Sequence, residues 1–197
     1  MSQWIFLRHG ESEANRARVF SGHHDVGLTA LGETQARQAG REIGELLGEA
    51  QLDLVLSSDL QRAVRTAVLA TDAAEQTADV LCDPSLRERH LGEWQGESID
   101  KLKASGERAI LHTWHGCAPG GESLAALAQR SITTLAHLEP AENVLLVGHG
   151  GLIRVLIGLL DGLDTTLIGP MSIPNGIPIL RVVPSGRWAD IATKLSG

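Results

Sequence analysis

The chain runs to 197 residues, with 17 basic and 24 acidic side chains and a formal net charge of −7. Hydrophobic residues make up 43% of it and charged residues 21%, which argues against disorder and fits one core at this length. The acidic balance lacks the basic footprint of a general nucleic-acid binder, although it leaves room for a local basic site that takes an anionic metabolite.

Cys82 and Cys117 stand in no CxxC or other zinc-ligand spacing, so the reading is reduced thiols rather than a disulfide framework. Arg8 and His9 follow only a few apolar residues, a layout foreign to a secretory signal. The most apolar stretch, 144–163, is broken by His149, Arg154 and Asp161, and ionisable residues cost several kcal/mol each in a bilayer. It reads as a buried strand and helix, and the expected compartment is the cytoplasm.

In chain order, Trp4 to Leu7 reads as a buried strand ending at Arg8. Thr29 looks like the cap of a helix with Ala36, Ala39, Ile43 and Leu46 on one face. Leu52 to Leu56 gives a second strand, after which Asp59 is a candidate cap for a helix with Ala63, Ala67 and Ala70 on a small-residue face. From Asp83 to Gly121 glycines and prolines break the pattern, predicting a lid-like surface excursion. Helical spacing returns through Leu124, Leu127, Ile132 and Leu135. Asn143 to Val147 is a third strand, Leu152 to Leu160 a buried helix, and Ile177 to Val183 a last strand. Strand alternating with helix predicts an α/β layered sandwich: a mostly parallel central sheet flanked by helices, in a single domain over 1–197. In such sheets ligands bind beyond the carboxyl ends of the strands. The strands ending at Leu7, Leu56 and Val147 would bring Arg8-His9-Gly10, Ser57-Ser58-Asp59 and Gly148-His149-Gly150 to one edge.

A histidine beside an arginine at a strand end can attack a phosphoryl group. The cation neutralises phosphate oxygens and helps keep the imidazole neutral. Arg8-His9-Gly10-Glu11 has that form, but alone it could also be an ordinary strand terminus. It is accompanied by Leu28-Thr29-Ala30-Leu31-Gly32, Ser57-Ser58-Asp59-Leu60-Gln61-Arg62-Ala63, Leu86-Arg87-Glu88 with Gly92-Glu93-Trp94-Gln95-Gly96, Pro119-Gly120-Gly121-Glu122-Ser123 and Val147-Gly148-His149-Gly150-Gly151. In these residues and their order, over nearly its whole length, the chain resembles the histidine phosphatase superfamily, with its phosphoglycerate-mutase-like fold.

The resemblance implies His9 as a nucleophile that becomes phosphohistidine and His149 as a second site histidine that stabilises transition-state charge. It implies Arg8 and Arg62 as the clamp on the phosphoryl group, and Glu88 as the acid that protonates the leaving alcohol and then activates water. Asn15, Ser21, Gly22, His149 and Gly150 join Arg8 and Arg62 as phosphate contacts, with no metal and no cofactor. Glu88 in that role needs a pKa raised by burial or by a nearby anion. Between phosphatase and mutase, the 61-position interval from Glu88 to His149 lacks the long insertion and consecutive arginines of family mutases, favouring the phosphatase. The expected partner is a small phosphorylated metabolite, such as a phosphoglycerate, a sugar phosphate or α-ribazole phosphate, with no nucleic acid and no membrane. A homodimer is left open.

The same residues admit other readings. Gly121-Glu122-Ser123-Leu124-Ala125 falls one residue short of a hydrolase GxSxG elbow and follows no strand, so Ser123 reads as a helix start. A non-catalytic phosphate-binding module would not need His9, Arg8, Arg62, Glu88 and His149 together. The remaining His23-His24, His112 and His115 match no metal spacing and read as loop residues, His112, Trp114 and His115 being candidate lid contacts. Arg87 and Arg89 could form a surface charge cluster around Glu88, and Trp94 a packing residue under the excursion.

Overall fold

The computed structural model of the chain describes residues 1–138 and 140–196. Five strands form one sheet: β1 (Ser2–Arg8), β2 (Leu54–Ser57), β3 (Val80–Cys82), β4 (Asn143–Gly148) and β5 (Pro178–Val183), in the order β3-β2-β4-β1-β5. The first four run parallel and β5 closes the edge antiparallel to β1. The helices are α1 (Glu13–Ala17), α2 (Ala30–Leu47), α3 (Gln61–Ala73), α4 (Ile99–Ala104), α5 (Leu124–Ala136), α6 (Gly150–Leu160), α7 (Thr165–Ile168) and α8 (Arg187–Ser196).

The central strands are apolar on both faces because both are covered, as a parallel sheet requires. On one face Ile5, Leu7, Val55, Leu145 and Val147 pack against Ala39, Ile43, Ala63, Ala67 and Ala70 of α2 and α3. On the other, Trp4, Phe6, Val144 and Leu146 pack against α5, α6 and α8. Burying one such large side chain contributes about 1.5–3 kcal/mol, so each layer is held by many small, similar contributions. The apolar stretch at 144–163 resolves into β4, a turn at His149 and α6. Among the described residues no helix is long and apolar enough to cross a membrane.

Two local expectations are corrected. Leu46 faces solvent and Leu47 takes the buried position, because α2 starts at Ala30 and turns its last apolar residue inward one place later. Asp59 does not cap α3. The cap position is Leu60, with no side-chain cap bond, and the Asp59 carboxylate is instead held by Arg87 at 2.7 and 2.5 Å. Thr29 and Ser123 do cap α2 and α5, accepting from Gly32 N and Ala126 N, which places Ser123 in a helix start and outside any nucleophile elbow. The excursion at 83–121 holds three 3-10 turns and α4 around a small core of Leu91, Leu111 and Ala118, with Phe20 and Trp94 packed on it.

Candidate active site

Register does the first work. Leu7 lies beside Val147, Arg8 beside Gly148, and Ser57 also beside Val147, so the residues that follow β1, β4 and β2 leave the sheet at one level. His9 and His149 are the first residues past β1 and β4. Their rings meet edge to face with centroids 5.2 Å apart, and the His9 amide donates to Gly148 O at 2.9 Å, tying the two turns together.

Both histidines are almost completely buried. His9 Nδ1 lies 2.7 Å from Gly10 O; a carbonyl can only accept, so Nδ1 carries the hydrogen and Nε2 keeps its lone pair. Burial pushes the His9 pKa well below the ordinary histidine value, and His149, Arg62 and Arg8 push it further the same way. His149 is lowered well below its ordinary value too, first by burial and then by Arg62 and Arg8. Its two ring nitrogens are buried without a hydrogen-bond partner among the described residues. The pair is therefore neutral at pH 7, and the arginines supply the positive charge.

The backbone around His9 is fixed from two sides. Gly10 N donates to Thr66 Oγ1 at 3.1 Å, and Thr66 Oγ1 donates to Arg62 O at 2.7 Å. A Cβ on Gly10 would overlap the Gly32 carbonyl, so this turn presses against α2 as only glycine allows. Asn175 Nδ2 donates to His9 O at 2.8 Å and to Asn15 Oδ1 at 3.2 Å, which orients the Asn15 amide.

Arg62 lies on the first turn of α3, wholly buried, donating to His24 O at 3.0 Å and Gly22 O at 2.8 Å. Arg8 donates to Ile173 O at 2.6 Å. The Nε of each is buried and has no partner among the described residues, leaving each planar fork with donors for an anion. Arg65, one turn on, pairs with Glu33 at the surface.

Glu88 reaches the same site from the loop after β3. Its Oε2 accepts from Gly151 N at 2.9 Å and its Oε1 from Arg89 N at 2.8 Å. A Cβ on Gly151 would overlap this carboxylate, which explains a glycine in the first turn of α6. Burial pushes the Glu88 pKa up, but the two amide bonds and the Arg154 and Arg89 charges outweigh it and hold the group below the ordinary carboxylate value. Burial of a carboxyl thus does not by itself produce the raised pKa anticipated for an acid. The loop is clamped by Arg130, which bonds Glu122 at 2.7 and 2.9 Å and donates to the carbonyls of Ser85, Arg87 and Glu88. Arg89 is 4% exposed and donates to Leu111 O, so Arg87 and Arg89 do not form a surface cluster.

All nine predicted side chains and glycines (Arg8, His9, Asn15, Ser21, Gly22, Arg62, Glu88, His149 and Gly150) line one cavity of about 290 Å³ at the carboxyl end of the sheet. Of the expected lid contacts His112 lines it too; Trp114 packs against the main core instead, and His115 is not among the lining residues. His23 faces His90, and among the described residues no cluster of three or more His, Cys, Asp or Glu could hold a metal ion.

Comparison with known proteins fits this geometry. The sequence profile of the histidine phosphatase superfamily (branch 1) matches residues 4–187. The chain belongs to the histidine phosphatase superfamily. Among its relatives, a 2,3-bisphosphoglycerate-dependent phosphoglycerate mutase of Methylorubrum populi is 33% identical, matched over 97% of this chain and 94% of its own length. A glucosyl-3-phosphoglycerate phosphatase of Mycolicibacterium vanbaalenii is 34% identical, over 95% of this chain and 83% of that protein. Among solved structures, one named mycobacterial hydrolase 1 superposes with a TM-score of 0.82 at 30% identity, covering 96% of this chain and 94% of that one. A mycobacterial glucosyl-3-phosphoglycerate phosphatase in complex with VO3 gives 0.80 at 32% identity, covering 91% and 90%.

For a superfamily member, four participants were not legible beforehand: Asn175, Thr66, Arg130 and Arg154. Each acts through contacts distant in sequence: Thr66 closely follows the Ser57–Ala63 motif, but nothing there marks its bond to Gly10 N, and Arg154 reads only as a charge interrupting an apolar run.

Proposed function

We propose that the protein is a metal-independent phosphomonoesterase that hydrolyses a small phosphorylated metabolite through a phosphohistidine at His9. The observation that carries this reading is the fixed tautomer of a buried neutral His9, whose Nε2 lone pair sits among His149, Arg8 and Arg62. In the first step Nε2 attacks phosphorus and the P–O bond to the alcohol breaks, while Glu88 delivers the proton to the departing oxygen. In the second, water attacks the phosphohistidine, Glu88 takes its proton, and phosphate leaves with Nε2 restored. Arg8, Arg62, His149 and the Gly150 turn meet the charge on the three phosphoryl oxygens, with Asn15, Ser21 and Gly22 completing the rim. Glu88 is ionised in the free site; an arriving phosphoryl dianion neutralises the arginines that depress its pKa and adds like charge beside it, so substrate itself raises the carboxyl toward the acid form.

Hydrolysis rather than transfer is supported by structural relatives named as hydrolases or phosphatases. A short interval between Glu88 and His149 is no argument for it, since the Methylorubrum mutase is matched over 94% of its own length and has no room for a long insertion. Transfer between hydroxyls of a phosphoglycerate is the second reading, favoured by that mutase relative. Both are tested with purified protein on p-nitrophenyl phosphate and on phosphoglycerates, with and without EDTA, beside a His9→Ala control. The hydrolase reading expects EDTA-insensitive release of inorganic phosphate that the control lacks. Isomerised phosphoglycerate without phosphate release would establish the mutase, and EDTA-sensitive turnover surviving in the control would remove both.

A further inference from the structure

The segment between α7 and β5, residues 169–177, runs along the active-site cavity and then closes on the nucleophile turn. Pro170, Met171, Ser172 and Ile173 line the cavity. Arg8 Nη1 donates to Ile173 O at 2.6 Å, and Gly176 N donates back to Arg8 O at 3.0 Å. Between these two bonds Asn175 sends its side chain across the turn, with Nδ2 2.8 Å from His9 O, 3.2 Å from Asn15 Oδ1 and 3.3 Å from Gly10 O. An amide nitrogen has two hydrogens for these three acceptors, so one hydrogen is shared. Gly10 O is the same carbonyl that takes the His9 Nδ1 hydrogen.

The orientation of both amides follows from neighbours that can act in only one way. Ser12 N can only donate, and it meets the Asn15 side chain at 3.2 Å, so the atom it meets is Oδ1. Ser12 Oγ accepts from Asn15 N at 3.3 Å in return, closing a capping box at the start of α1. Asn15 Oδ1, His9 O and Gly10 O can only accept, so the Asn175 atom that faces all three is Nδ2. With Oδ1 held by two donors, Asn15 Nδ2 has no hydrogen bond among the described residues. It is not one of the buried unpartnered atoms, so it is open to the cavity that Asn15 lines. Turning this amide over would set Nδ2 against Ser12 N and Asn175 Nδ2, donor against donor, and aim an acceptor at a phosphoryl oxygen.

We propose that Asn175 is a positioning residue: it ties the Asn15 amide to the nucleophile turn and so holds Asn15 Nδ2 toward an oxygen of the phosphoryl group at His9. This rests on the phosphomonoesterase reading only for the phosphoryl group's place beside His9. Asn175 is half-buried and is not among the residues that line the cavity, so it acts through Asn15 and not on the substrate. Without it Asn15 Oδ1 keeps one donor, Ser12 N, and the amide is free to turn. A donor fixed in advance spares the site the ordering cost that a free amide meets when the anion binds.

The test is a double-mutant cycle on Asn15 and Asn175, read by calorimetric titration with orthovanadate, a phosphate-shaped oxyanion. The dissociation constant reports the folded molecules alone, and the stoichiometry reports how many there are. Asn15→Ala removes the donor and should weaken binding about 10- to 100-fold, the worth of one hydrogen bond to a charged group. Asn175→Leu keeps the bulk of the side chain without its donors. It should weaken binding about 3- to 10-fold in the otherwise unchanged protein, but less than about twofold once Asn15 is replaced. Asn175→Ala, which gives up the bulk as well, should show the same coupling, so the result does not hinge on how leucine packs. Affinity untouched by both Asn175 variants, or lost by the same factor with and without Asn15, overturns the positioning role, and wild-type hydrolysis of p-nitrophenyl phosphate then shows that the hydrolase reading survives alone. A coupled loss in a protein that hydrolyses no monoester upholds the positioning role and removes the hydrolase. A wild-type protein that neither binds orthovanadate nor hydrolyses a monoester removes both.

Discussion

The two ends of the active-site cavity are built in different ways. At the phosphoryl end, His9 and His149 leave paired parallel strands and Arg62 sits in the first turn of a buried helix, so sheet register and core packing hold the reacting groups. At the leaving-group end, Glu88, Arg89, Arg108 and His112 stand on loops and 3-10 turns over a satellite core of three buried residues. The first end is rigid because moving it would disrupt the sheet. The second lies outside the sheet and is held by side-chain bonds to backbone carbonyls and amides. On the proposed function, the reaction would rest on the scaffold and the choice of alcohol on the excursion.

The sharpest way to break this division is Glu88→Gln, since Glu88 stands where the two ends meet. Loss of a general acid should slow alkyl phosphates by about 10²–10⁴-fold while an aryl phosphate, whose leaving group needs no proton, loses far less. Steady-state rates on glycerol phosphate and p-nitrophenyl phosphate check this; equal losses on both would show that Glu88 does not protonate the leaving group.

Next in size is a pH effect confined to the phosphoryl end. His9 and His149 are neutral when folded, with pKa values well below the unfolded value of about 6.5. Below that pH the unfolded chain takes up protons that the folded chain refuses, so stability is full above it and falls as pH drops toward the folded values. The slope approaches about 1.4 kcal/mol per pH unit for each histidine. Urea unfolding between pH 7 and 5 should show that slope weaken in His9→Ala, because one of the two groups is gone, and an unchanged slope would remove His9 as a source.

The smallest effect belongs to the loop clamp. Arg130→Gln leaves Glu122 and the carbonyls of Ser85, Arg87 and Glu88 short of donors, which should cost about 1–3 kcal/mol of stability. Turnover of alkyl phosphates should fall more than that of aryl phosphates, since the Glu88 loop is what Arg130 holds. Thermal melts and the two-substrate rate ratio read these separately; an unaltered ratio would make Arg130 structural only.

The same two-ended difference explains what could be read from the sequence. Apolar runs ending at Arg8, Ser57 and Gly148 predicted the sheet edge correctly, because a buried parallel strand advertises itself in composition and its end delivers whatever follows. Arg8, His9, His149 and Gly150 meet in the cavity for that reason, whereas Asn15, Ser21, Gly22 and Glu88, which also line it, follow from the family resemblance and not from strand ends. Asp59 misled because an acidic residue before a helix is the usual cap, and only the fold reveals that Arg87, 28 positions on, takes its carboxylate. Leu46 and Leu47 show the limit of periodicity at a helix end, where one residue of phase decides which leucine is buried. Arg89, Arg130, Arg154 and Asn175 work through carbonyls and amides supplied by distant segments, and no local pattern marks such contacts. The Glu88 pKa depends on two backbone amides and two arginines at once, so its direction was open until the structure placed them.

The central claim, that the neutral His9 imidazole takes the phosphoryl group, is tested most directly by acid-free rapid quench of the turning-over protein with a ³²P-labelled monoester, followed by peptide mapping. The account predicts a transient label that survives base, is lost in acid and maps to His9, forming and decaying at rates compatible with turnover. Sustained turnover with no such label on His9 would contradict it.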